Sequence, residues 1–126
     1  MFKRISKLFL CVFAISLLQA CVTLANERLV LKQDTFVDNY PRIKQIVVEE
    51  AANNGFGTLT SEVKPSQFNG WKGKFFFSLV TPNGTDQLFV EFEKKDEGIA
   101  VHIHGGGTRT NPDSASKAIA ARLGQL

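Results

Sequence analysis

Two stretches of this 126-residue chain, 71–80 and 86–95, flank Pro82-Asn83-Gly84, and every second residue from Phe75 to Leu79 and from Leu88 to Phe92 is apolar. A period of two belongs to strands, and Pro-Asn-Gly is a turn signal, so the pair reads as a β-hairpin. Loop length then decides which residues meet. An even-length loop sets Leu79 opposite Leu88, Phe77 opposite Val90 and Phe75 opposite Phe92. The other face then pairs Phe76 with Glu91 and Lys74 with Glu93. A three-residue loop would instead set Leu79 against Gln87 and Phe75 against Glu91, mixing apolar with polar, so the even loop is expected. Pro82 points to four loop residues, because a ladder position beside the turn wants an N–H that proline lacks.

The hairpin needs cover on its apolar side, and the flanking segments supply it. Asn39 is a candidate N-cap with Pro41 in the first turn, and a helix is expected to about Asn53 with Ile43, Ile46, Val47 and Ala51 on one face. Asn54-Gly55 is its stop signal. Residues 58–63 read as a strand, and 99–104 as the last strand, ended by Gly105, Gly106 and Gly107. Asn111 is placed as the cap of a final helix with Ala115, Ala118, Ile119 and Leu123 inward. Leu29-Val30-Leu31 forms a short strand or an extended arm. The expectation is α+β: a two-layer sandwich of a four-stranded antiparallel sheet with two helices on one face, in the order α-β-β-β-β-α.

The N-terminus has a different character. Lys3, Arg4 and Lys7 precede residues 8–18, which carry no charge. Eleven residues rise only about 16 Å as a helix, roughly half of a bilayer's hydrocarbon thickness. Basic head, short apolar middle and small exit residues make residues 1–20 a candidate signal peptide, or 1–25 with the later of two cleavage sites. Leu17-Leu18-Gln19-Ala20-Cys21 resembles the lipobox of bacterial lipoproteins, which implies lipidation of Cys21 and attachment to a membrane through that lipid alone. Gln19 departs from the commonest form of the box. The rival cut follows Thr23-Leu24-Ala25 and yields a soluble chain. Either way the remainder, counted as 26–126, is one small domain, exported to the periplasm or held at the outer membrane.

Charge and cysteine content narrow the function. Lys3, Arg4 and Lys7 account for the whole net charge of +3, so the domain itself is neutral. A nucleic-acid partner, which needs a basic surface, is not expected. The two cysteines are Cys11 and Cys21, and neither cut leaves a pair for an intramolecular disulfide. The serines stand in no nucleophile-elbow context, so the domain is not expected to be an enzyme, and no cofactor is called for.

Three groups of residues remain as candidates. His102 and His104 project from the outer side of the last strand, about 7 Å apart along it. That spacing occurs in metal sites, but a site needs a third ligand, and no cluster in the sequence completes one, so no metal is expected. Glu91 is a possible neighbour in the adjacent strand, where its charge would favour protonated His102. Phe76 and Phe89, with Lys74, His102 and His104, make a candidate interaction face. Gly105, Gly106, Gly107 and Arg109, before a helix start, make a candidate anion loop without the spacing of any phosphate-binding motif. The sequence therefore points to a small exported non-catalytic envelope protein, an interaction or accessory module with a protein partner. The alternative is a periplasmic module that binds a small ligand, an anion or a metal through His102, His104 and Arg109.

The export reading makes a direct prediction. Intact-mass measurement of the natively produced protein should find residues 1–20 or 1–25 missing, with an acyl increment on Cys21 if the lipobox is used. A full-length mass in the envelope fraction would contradict it.

Overall fold

A computed structural model describes residues 23–109 and 111–126. The expected signal segment 1–20 and Cys21 lie outside the described residues, while the last residues of the longer alternative, 1–25, fall in the described part. The chain is α+β, with an open antiparallel sheet of five strands and three helices. In chain order these are β1 (Thr23–Leu31), α1 (Gln33–Asp38), α2 (Tyr40–Asn53), β2 (Ser61–Val63), β3 (Gly73–Thr81), β4 (Gly84–Lys95), β5 (Gly98–Gly107) and α3 (Asn111–Leu123). Across the sheet the strands run β1-β5-β4-β3-β2. Among the described residues no helix is long and apolar enough to cross a membrane.

The expected count of four strands and two helices is corrected to five and three. The added strand, β1, pairs along its whole length with β5, from Thr23↔Gly107 to Leu31↔Ile99. Its alternation is weak in sequence, because Ala25 and Glu27 stand at inward positions where larger apolar residues would announce a strand. The added helix, α1, is only six residues long and buries a single side chain, Phe36. Residues 58–63 shrink to β2, although Thr60 N still donates to Phe76 O at 2.8 Å. The third strand starts at Gly73 rather than Trp71, because Gly70 and Trp71 both take left-handed backbone in a tight turn. The last strand runs through the three glycines to Gly107 instead of ending at His104.

The hairpin register is also corrected. The loop is even, as the alternation requires, but it holds two residues, Pro82 and Asn83, with Thr81 paired to Gly84. Proline occupies a turn position, so no ladder N–H is lost. Phe77 therefore faces Leu88, Phe75 faces Val90, and Leu79 faces Asp86. A shift of two residues preserves the faces. Phe75, Phe77, Leu88, Val90 and Phe92 all lie buried on the inner side, and Leu79 packs at the margin of the core.

Helices α2 and α3 cover that inner face. Ile43, Ile46, Val47 and Ala51 of α2 and Ala115, Ile119 and Leu123 of α3 are buried in one cluster with the inward strand residues. Ala118, placed inward by the sequence pattern, is only partly buried, and Ser116 is buried instead. Phe36 and Tyr40 bring aromatic rings to Phe92 and Phe75, with centroids 5.1 and 5.9 Å apart. Asn111 is the first helical residue of α3, and its Nδ2 donates to Asn54 O at 2.7 Å, tying the start of α3 to the end of α2. Arg122 bridges Glu49 and Glu50 across the same pair of helices.

Because the helices share one face, the two sides of β3 should answer differently to mutation. Phe77→Ala should cost about 3–5 kcal/mol in denaturant melts, through lost burial and the cavity left behind. Phe76→Ala, from the other side of the strand, should cost much less. Equal losses would mean that both faces are packed.

Candidate functional site

The uncovered face of the sheet is organised in rows, because antiparallel pairing puts directly opposed residues side by side. One row runs Ser61–Phe76–Phe89–His104–Asn26, from β2 across to β1. The next runs Val63–Lys74–Glu91–His102–Arg28. All five residues of the expected interaction face thus lie on neighbouring positions of one surface. The two-residue turn is what aligns them: it opposes Phe76 to Phe89 and Lys74 to Glu91, where the four-residue loop would have given Glu91 and Glu93.

Four rings on this face form one stack. Phe76 and Phe89 lie 4.6 Å apart between centroids at 25°. Phe89 and His104 lie 4.9 Å apart at 8°, and His104 and His102 lie 4.4 Å apart at 23°. Near-parallel rings at these distances cover one another's faces, so the stack offers mainly ring edges to a ligand. Two of those edges are imidazoles with nitrogen donors.

Polar neighbours fix both imidazoles. His104 Nε2 donates to Glu91 Oε1, and His102 Nε2 donates to Asn26 Oδ1 at 2.8 Å. Glu91 does favour protonated His102, as expected, but its effect is outweighed. Partial burial, followed by the charges of Arg28 and His104, holds His102 below the ordinary imidazole range, and the opposing pull of Glu91 is the weakest influence. Glu91 accepts its hydrogen bond from His104 rather than from His102, the residue opposite it.

The glycine segment has a different role from a loop. Gly105, Gly106 and Gly107 are strand residues, paired with Ala25, Leu24 and Thr23 of β1. A Cβ at Gly105 would meet the carbonyl of Gln87, and one at Gly107 would meet the carboxylate of Asp86. Gly106, facing outward, leaves a shallow open depression between Leu24, Gln87, Phe89 and His104. The sequence reading missed Asp86. It lies on the inward side of β4 and is fully buried. Arg109 Nε donates to Asp86 Oδ2 at 2.5 Å, and Thr108 N donates to Oδ1 at 3.2 Å. The guanidinium and backbone N–H expected to receive an external anion are therefore directed at a carboxylate of the chain itself. An acid at an inward strand position with an arginine beyond the next strand was the available signal.

Comparison with known proteins finds no matching family model, no similar curated protein and no similar solved structure. The site's chemistry is read from its own geometry.

The Asp86–Arg109 pair predicts a measurable coupling. Arg109→Met strands a buried carboxylate and should cost about 2–4 kcal/mol in denaturant melts. Adding Asp86→Asn to that variant should recover part of the loss, because the stranded charge is then gone. No cost for Arg109→Met would show that the carboxylate does not depend on this guanidinium.

Proposed function

We propose that this chain is an exported, non-catalytic binding module of the cell envelope, and that the outer face of its sheet docks a protein partner. The observation that carries the reading is the continuous stack Phe76–Phe89–His104–His102 on a sheet face that no helix of the described chain covers. Stacked rings set in a fixed frame supply contact area with little side-chain entropy left to lose, which favours them at protein interfaces. The charges around the stack alternate in sign, with Lys74 and Arg28 in one row with Glu91, and Glu93 beside them on β4. A mixed rim of this kind suits a protein surface better than a polyanion, which selects uniformly basic patches.

Export is the reading of the N-terminal sequence, and the strand order bears on where the chain is cut. A cut after Ala25 would remove three residues of β1, among them Ala25, which is buried against the core. A cut before Cys21 leaves β1 whole, which supports the lipobox reading. A lipid on Cys21 would then hold the sheet close to a membrane, since only Val22 separates that residue from the strand.

Site-specific photo-crosslinking in intact cells tests the docking reading. A photoreactive residue replacing Gln87, on the outer face, should give a discrete protein adduct. The same residue replacing Lys117, exposed on α3, should not. The adduct should disappear when Phe76→Ala and Phe89→Ala are combined in a variant whose thermal melt shows it folded. Equal cross-linking from both positions, or an adduct indifferent to the phenylalanines, would refute the assignment of this face.

A further inference from the structure

The centre of the outer face brings together three side chains that the sequence left incomplete as a ligand set. Glu91 on β4 stands directly opposite His102 on β5, and His104 follows two positions along the same strand, so all three project to one side. One donor atom of each lies within 4.8 Å of the others. Donors around a tetrahedral cation with bonds of about 2.0–2.1 Å are roughly 3.3 Å apart. The side chains of His104 and Glu91 are already in contact and partly exposed, so modest rotations bring the set to that spacing.

We propose that Glu91, His102 and His104 bind a first-row divalent transition cation of the Zn2+ class, with the remaining coordination positions open to solvent. The donor chemistry selects the class: two imidazoles and one carboxylate suit zinc, cobalt, nickel and copper, whereas calcium and magnesium need more oxygen ligands. The ring stack contributes by holding both imidazoles edge-outward, so their nitrogens meet a cation without a large loss of rotamer freedom. A cation entering between His104 and Glu91 replaces the hydrogen that now joins Nε2 to the carboxylate, and the imidazole passes to its other tautomer. Asn26 is placed to hydrogen-bond and orient His102 from the side.

Arg28 and Lys74 flank the set, opposite His102 and Glu91 respectively. Their charges oppose a second cation, so the site binds less tightly than the same ligands would in neutral surroundings. This gives a test outside the ligand set. The proposal rests on donor geometry and does not require a protein partner.

The experiment uses the untagged natural protein, freed of metal with a chelator and titrated with Zn2+ by calorimetry and with Co2+ by visible absorption. One equivalent should bind, with cobalt d–d bands marking nitrogen and oxygen coordination, and Mg2+ should not compete. Glu91→Gln, which keeps shape, and His102→Gln should each weaken binding on the order of tenfold or more. Arg28→Gln should tighten it, and acid should release the metal as the imidazoles protonate. Thermal melts of each variant without metal separate loss of ligand from loss of fold. Absence of one-to-one binding, or binding unchanged in both ligand variants, overturns the proposal. Repeating the Gln87 cross-linking with and without chelator keeps the two readings apart. An adduct that survives chelation shows docking without metal, and metal binding without any adduct shows the reverse.

Discussion

The two-residue turn at Pro82–Asn83 fixes the register between β3 and β4, and both faces of the domain depend on that register. On the inner side it lines up Phe75 with Val90 and Phe77 with Leu88, the centre of the core on which α2 and α3 rest. On the outer side it sets Phe76 against Phe89, where the rings stack. A slip of one residue would turn the core phenylalanines to solvent. A slip of two would keep the core yet break the stack, setting Phe76 against Glu91. The inner face tolerates an ambiguity that the outer face does not.

That asymmetry explains what was legible in the sequence. The inward set of β3 and β4 follows from period two alone, and the inward face of α2 follows from its helical spacing, so both could be read from residue order. The row partners on the outer face could not, because they depend on loop length, and proline at the turn argued for two residues too many. Weak alternation hid β1. Its inward positions are filled by Ala25 and Glu27, and its first residues coincide with the exit of the expected signal. The short α1, with one buried ring, carries too few apolar residues to show a helical period.

The candidate site divides in the same way. His102 and His104 fall on one side of their strand by simple alternation, and Phe76 and Phe89 on the same side of theirs. Their assembly into a single stack, and the choice of His104 over His102 as the partner of Glu91, are set by three-strand geometry that residue spacing does not encode. The glycines show a related limit. Beside Arg109 they resemble a loop that receives an anion, but their small size serves close packing against Gln87 and Asp86. The buried aspartate that engages the arginine lies 23 residues earlier in the chain.

The central claim is that the outer face of the sheet is the working surface, and the chain carries a built-in reporter for it. Its two histidines, the only ones in the sequence, both lie on that face. Histidine-directed carbethoxylation, mapped by peptide mass, therefore reads this surface and no other. With chelator present throughout, the purified domain should be modified at both His102 and His104, while the same residues in intact envelopes should be protected. Equal modification of both histidines in the purified protein and in the envelope would show an outer face that nothing covers, and would contradict the account.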